Sequence, residues 1–186
     1  MKSLSENYRR EDGAALVEIR LHSVRQLFNS LDPAPFHEKD LDADAEEYIV
    51  ESVRELPLRE KIKLVFHLPR AEASDAGDLK GAIHNYFAYR AGVVARELRA
   101  KLAEGRLTFV IAVLFLVLCL VLRQMVRTLG DGAAGHIAAE GLLIVGWVAM
   151  WRPIQILLYD WWPIARRVRW LSKLAVTPVE LRILAD

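Results

Sequence analysis

The chain has 186 residues, with 25 Lys+Arg against 24 Asp+Glu and a net charge of +1. No extended basic stripe with interleaved aromatics lies outside the flanks of its apolar blocks, which excludes nucleic acid as a partner. A single cysteine, Cys119, excludes both an intramolecular disulfide and a Cys-based zinc site. The length is that of one ordinary domain, but two apolar blocks consume part of it, so any soluble core is small.

The start, "MKSLSENYRREDG", is polar and has no apolar h-region, so no cleaved signal peptide is expected and residues 1–12 read as a flexible tail. Residues 13–78 read as a small cytoplasmic α/β domain. Within it "ALVEIRLH" alternates Val17, Ile19 and Leu21 with Glu18, Arg20 and His22, the pattern of a half-buried strand. "KIKLVFHL" repeats the device with Ile62, Leu64, Phe66 and Leu68 on one face. Helical pieces around 23–30 and 41–56 join the two, with "SLDPAPFHEKD" as a proline-fixed loop between them.

The most metal-like stretch is "DLDADAEEYIVE", where Asp40, Asp42, Asp44 and Glu51 occupy positions 1, 3, 5 and 12 of a calcium loop. Position 6 is Ala45, where that loop needs glycine, and position 8 is Glu47. The stretch reads better as an aspartate cap with acidic first-turn residues, and no metal site is expected. The five histidines, His22, His37, His67, His84 and His136, show no metal-ligand spacing, although His22 and His67 fall on the outer faces of neighbouring strands.

Residues 79–106 carry Ile83, Phe87, Ala91, Val94, Leu98 and Leu102 at helical spacing, giving an amphipathic helix that leads straight into the first apolar run. That run, residues 107–123, holds "LTFVIAVLFLVLCLVL" between Arg106 and Arg123. Its sixteen uncharged residues span about 24 Å, short of the roughly 30 Å hydrocarbon core, and snorkelling arginines make up the difference. After a glycine-punctuated loop, residues 124–136, the second apolar run covers 137–152. It carries one polar residue at membrane depth, Glu140, placed to reach water or Arg127. Arg90, Arg96, Arg99, Lys101 and Arg106 precede the hairpin and Arg166, Arg167, Arg169 and Lys173 follow it, whereas the loop offers only Arg123 and Arg127. This bias puts both chain ends in the cytoplasm.

Residues 153–176 then read as an interfacial helix and a basic helix. Pro153 and Pro163 each suit the first turn of a new helix, so the span ends near Trp151, a short helix runs from Pro153 to Trp162 and a basic one from Ile164 to Ala175. Trp147, Trp151, Trp161, Trp162 and Trp170 read as an aromatic interfacial belt, and Trp151, Trp161 and Trp162 with Arg152, Asp160, Arg166 and Arg167 are expected to contact lipid or a partner at the membrane interface. Residues 177–186 include "PVELRIL", where Val179, Leu181 and Ile183 alternate with Glu180 and Arg182. The alternation favours a C-terminal strand completing the cytoplasmic sheet. The alternative is a helix capped by Thr177, Pro178 and Glu180.

The expected fold class is therefore an α+β membrane protein: a small cytoplasmic α/β domain of about three strands, a two-helix transmembrane hairpin and an interfacial helix. No glycine-rich phosphate loop, nucleophile elbow or carboxylate pair is visible, so neither a catalytic residue nor a cofactor is expected. "NYFAYRAGVVARELRAKLAEGR", the following span, "LLIVGWVAMWRPIQILLYDWWP" and "LFNSLDPAPFHEKDLDADAEEYI" together resemble uncharacterised two-pass bacterial inner-membrane proteins. The resemblance covers most of the chain and implies a bacterial inner membrane and the same topology, with no activity attached. The expected role is a non-enzymatic scaffold, sensor or accessory subunit that meets membrane lipids and a protein partner or a second copy. The alternative is a membrane-interface enzyme or transport component using Glu140, Arg152 and Asp160.

Overall fold

The computed structural model describes residues 8–29, 40–72, 78–129 and 132–184. The chain is mixed α+β and divides into two compact units, Met1–Val93 with Arg167–Asp186, and Val94–Arg166. The loop of residues 30–39, with His37, lies outside the described residues.

The first unit is built on four strands, one more than the alternation predicts, in the order β1-β2-β3-β4. Strands β1 (Arg10–Glu11) and β2 (Ala14–Arg20) form an antiparallel hairpin with Glu11 opposite Ala14. Its two turn residues, Asp12 and Gly13, hold φ of 51° and 74°. This backbone suits the twist of a two-residue hairpin and is tolerated by Asp-Gly. The expected tail is thus an edge strand at its end, and Tyr8 donates to the Ser52 carbonyl and to Glu55 at 3.2 and 2.7 Å; residues 1–7 lie outside the described residues. No periodicity announces a two-residue strand, because it has only one pleat.

Strand β3 (Ile62–Pro69) pairs in parallel with β2, Val17 opposite Leu64 and Ile19 opposite Phe66. Strand β4 (Val179–Leu184) pairs in parallel with β3, Leu64 opposite Val179 and Leu68 opposite Ile183. Since laterally paired residues share a face, Val17, Ile19, Leu64, Phe66 and Leu68 form one apolar face, all of them buried. Helix α1 (Ala43–Arg54) adds buried Ile49 and Val53, and the start of α2 (Leu79–Leu129) adds Leu79, Ile83 and Phe87. The end of α4 (Trp161–Leu174) adds Leu171 and Leu174. Each such side chain contributes about 1.5–3 kcal/mol by leaving water.

Local chemistry sets the element ends. Asp42 caps α1 by accepting from the Asp44 N–H at 3.0 Å, and Asp78 accepts from the Gly81 N–H at 3.0 Å in the first turn of α2. Thr177 ends α4 rather than starting a helix: its hydroxyl donates to the Lys173 carbonyl at 2.8 Å, and its own carbonyl lies 2.8 Å from His84 Nε2. Lys173 donates to the carbonyls of Leu58 and Glu60 at 3.0 and 2.5 Å. Glu46 accepts from the Tyr86 hydroxyl at 2.6 Å and from Arg90 at 3.0 and 3.2 Å, joining α1 to α2.

The second unit is a helical hairpin of the later part of α2 and α3 (Ala133–Gln155). Both are long and apolar enough to cross a membrane. Six of its buried residues are small or compact and recur every seventh position, Gly105, Ala112 and Cys119 on α2, then Ala139, Gly146 and Pro153 on α3, while the larger Ile156 is fully buried just beyond them. A seven-residue repeat keeps one seam of each helix facing the other. The approach is close at Gly146, where an added Cβ would lie 2.8 Å from Leu116 Cδ1 and 3.2 Å from Cys119 Cβ, and at Gly105, where it would lie 2.8 Å from Ile156 Cγ2. Large apolar side chains point outward, among them Leu114, Val117, Ile144 and Val148.

The structure corrects the expected break at Pro153. The chain passes from α3 through a π turn, Ile156–Asp160, directly into α4, so no separate helix begins at the first proline. Pro153 is buried inside α3, where it removes one N–H and crowds the carbonyl a turn earlier. A widened turn follows it, and the Trp161 indole N–H donates to the Leu157 carbonyl at 2.8 Å there. Pro163 does sit in the first turn of its helix.

Gly146→Leu is expected to force the helices apart and lower hairpin stability by about 1–3 kcal/mol, the usual cost of overpacking. Gly146→Ala is expected to cost less, because the atom it meets first is the movable end of Leu116. Thermal unfolding of the purified chain in mild detergent, followed by circular dichroism, measures both.

Candidate functional site

Two groups of charged residues stand out, one in each unit. In the hairpin unit Glu140 sits near the start of α3, where Arg123 and Arg127 reach its carboxylate at 3.5 and 3.4 Å. The expected pairing with Arg127 is present, and Arg123 joins it because it lies one turn earlier on the same helix face. At the other end Arg152 and Asp160 approach to 3.7 Å, bridging the π turn. Arg152 leaves 59% of its side chain exposed, so the pair is weak in water. Along α3, Glu140 and Arg152 are twelve residues and roughly 18 Å apart, and each has its own partner. The three polar residues named for membrane chemistry are therefore two separate ion pairs.

The aromatic residues around Arg152 turn outward. Trp151 and Trp162 are 75% and 65% exposed, with Tyr159 and Leu158 exposed beside them. Trp161 has its indole committed to the Leu157 carbonyl, and Trp170, expected in the same belt, is instead buried at 3% exposure because α4 turns it into the core. Arg166 and Arg167 are exposed on α4 with no ion-pair partner among the described residues.

In the first unit the second face of the sheet carries charge. Arg182 on β4 holds Glu11 on β1 with both terminal nitrogens and donates from Nε to Glu180 at 2.8 Å. Glu180 in turn accepts from Lys63 on β3 at 3.0 Å. Beside this chain, Glu18 lies 3.6 Å from Arg9 and 3.4 Å from His67. The alternation places Glu18, Glu180, Arg182 and His67 on this face, yet Glu11 carries no sequence signal because its strand has no period of its own. His67 meets Glu18 and not His22, which lies beyond the end of β2.

The hydrogen bonds shift the acid groups in one direction. Those from Arg182 and then Lys63 hold the Glu180 carboxyl down at about 2, and the bond from Arg182 lowers Glu11 as well. The same two carboxylates push the Arg182 guanidinium further up.

The acidic stretch at α1 serves the helix. Asp42 is its cap, Asp44 lies in its first turn and Glu51 falls three turns along, while the Asp40 carbonyl accepts from the Asn29 N–H at 2.8 Å. Among the described residues no three metal-ligating side chains converge on one point.

No family model matches the chain, and neither a curated protein nor a solved structure matches it. The functional reading therefore rests on the residues.

Because Glu180 and Glu11 hold their protons less tightly when folded, they stabilise the fold above the ordinary carboxylate range near 4.5. As pH falls from there toward 2 the unfolded chain takes up protons that the folded chain refuses, and stability is lost. Urea midpoints measured from pH 6 to pH 2.5 are expected to fall on acidification. Arg182→Met is expected to lower the midpoint at pH 6 and to flatten that dependence; an unchanged slope would show that other groups govern it.

Proposed function

We propose that the chain is a two-pass membrane protein whose small α/β unit works as a non-enzymatic scaffold, sensor or accessory subunit for a protein partner. The carrying observation is the parallel pairing of β3 with β4, strands that flank the helical hairpin in sequence. Hydrogen-bonded neighbours must lie on one side of a bilayer, so the segment between them has to cross an even number of times. Two helices of sufficient length and apolarity stand between them, and large apolar side chains cover their outer surface.

Charge supports the orientation. The arginines and lysines flanking the hairpin, from Arg90 to Arg106 and from Arg166 to Lys173, outnumber Arg123 and Arg127 at its tip. In a bacterial inner membrane this arrangement keeps the sheet in the cytoplasm. Exposed Trp151 and Trp162 beside Arg152, Arg166 and Arg167 suit the lipid headgroup level. The competing enzyme or transport reading needs Glu140, Arg152 and Asp160 at one cavity, and their separation into two ion pairs speaks against it.

The anchored reading expects the protein to remain in the membrane pellet through alkaline carbonate extraction. Reporters that are active only in the cytoplasm should work when fused after Asp186 and fail when inserted at Gly132. Release by carbonate would refute membrane insertion, and the opposite reporter pattern would refute the orientation. Gentle purification from native membranes is expected to retain a stable protein partner or a second copy.

A further inference from the structure

The outer edge of β4 carries a pattern that pairs with itself, and we propose that a second copy of this chain docks there, β4 against β4 in antiparallel register, to make one continuous sheet. The inference rests on the homo-oligomer form of the reading above and names the surface. Among the described residues β4 has a strand on one side only.

Backbone direction comes first. The Leu64 N–H donates to the Pro178 carbonyl at 2.9 Å. In a parallel ladder alternate residues turn their N–H and C=O toward the same neighbour, so Pro178, Glu180 and Arg182 face β3. Val179, Leu181 and Ile183 accordingly present theirs to the outer edge. Such a row is a template for another strand unless it is blocked. Pro178 does not block it, since its missing N–H is on the β3 side. Ile183 is 57% exposed although it belongs to the apolar face.

Register follows from the side chains. An antiparallel two-fold pair centred on Leu181 places Leu181 opposite Leu181 of the second copy, Val179 opposite Ile183 and Glu180 opposite Arg182. Reciprocal backbone bonds then form at Leu181 and between Val179 and Ile183, the residues whose groups point outward. Centring the pair on Glu180 or on Arg182 sets like charges directly opposite, which is destabilising. Centring between residues turns the charged face of one sheet into the apolar face of the next.

The match extends beyond the edge strands. Glu18, Val65 and Glu180 lie in one lateral row, and Arg20, His67 and Arg182 in another. The two-fold axis joins the acidic row of each copy to the basic row of the other. On the opposite face the row of Val17, Leu64 and Val179 meets Ile183 and Leu68 of the second copy.

The test uses the full chain in mild detergent with Cys119→Ser as background. Leu181→Cys is expected to give a reducible dimer under mild oxidation, because an antiparallel pair brings the two Cα atoms to about 5.5 Å. Adding Ile183→Pro, which removes an outward N–H and leaves the β3 side intact, should abolish the cross-link without changing the circular dichroism. Glu180→Lys and Arg182→Glu should each be monomeric by light scattering, and mixing them should restore the dimer. Absence of the Leu181→Cys cross-link, or its survival in Ile183→Pro, overturns the proposal. That result leaves the membrane reading standing, since carbonate extraction tests it separately. Release by carbonate in turn would leave the cross-link fully interpretable.

Discussion

The parallel ladder between β3 and β4 is the contact on which the rest of the chain depends, because it ties together segments that stand on either side of a whole helical hairpin. Parallel neighbours always need a crossover, and a single helix usually serves. Here the crossover is α2, α3 and α4, with the hairpin carried in its middle. Closing so long a loop costs chain entropy before any contact rewards it. Compensation comes from what β4 completes: Val179 pairs beside buried Leu64, the end of α4 buries Leu171 and Leu174, and Lys173 ties that helix to the carbonyls of Leu58 and Glu60.

The two units bury themselves with different residues. In the sheet unit Phe66, Phe87, Leu64 and Ile83 fill the interior and charge lies outside. In the hairpin unit the seam is mostly small, Gly105, Ala112, Cys119, Ala139 and Gly146, with Ile156 buried against Gly105, and the outside is leucine, valine and isoleucine. Where water surrounds a fold, large apolar groups gain most by turning inward. Where hydrocarbon surrounds it, that gain vanishes and close backbone approach through small residues takes over. The inversion between the units is the physical content of the anchored reading.

Charge on the open sheet face has a structural task as well as an outward one. Glu11, Arg182, Glu180 and Lys63 form a chain of charge-assisted bonds that joins the outermost strands over the buried side chain of Val65. Because opposite charges alternate from row to row, the same arrangement that satisfies one sheet is complementary to itself after a two-fold turn. Internal cohesion and a self-matching edge thus come from one set of residues.

Much of this was legible in local periodicity. Alternation marked β2, β3 and β4, Asp42 marked the start of α1, and the apolar runs marked the hairpin, since each depends on residues a few positions apart. The sequence by itself therefore determined the three longer strands, the long helices and which of their faces are apolar. Tertiary structure alone decided the rest. It made β1 from two residues with no period, set β4 beside β3, brought Glu11 to Arg182 and carried the helix through Pro153 into a widened turn. Those outcomes depend on groups far apart in the chain or on packing around an irregular turn, and short-range pattern carries no record of either.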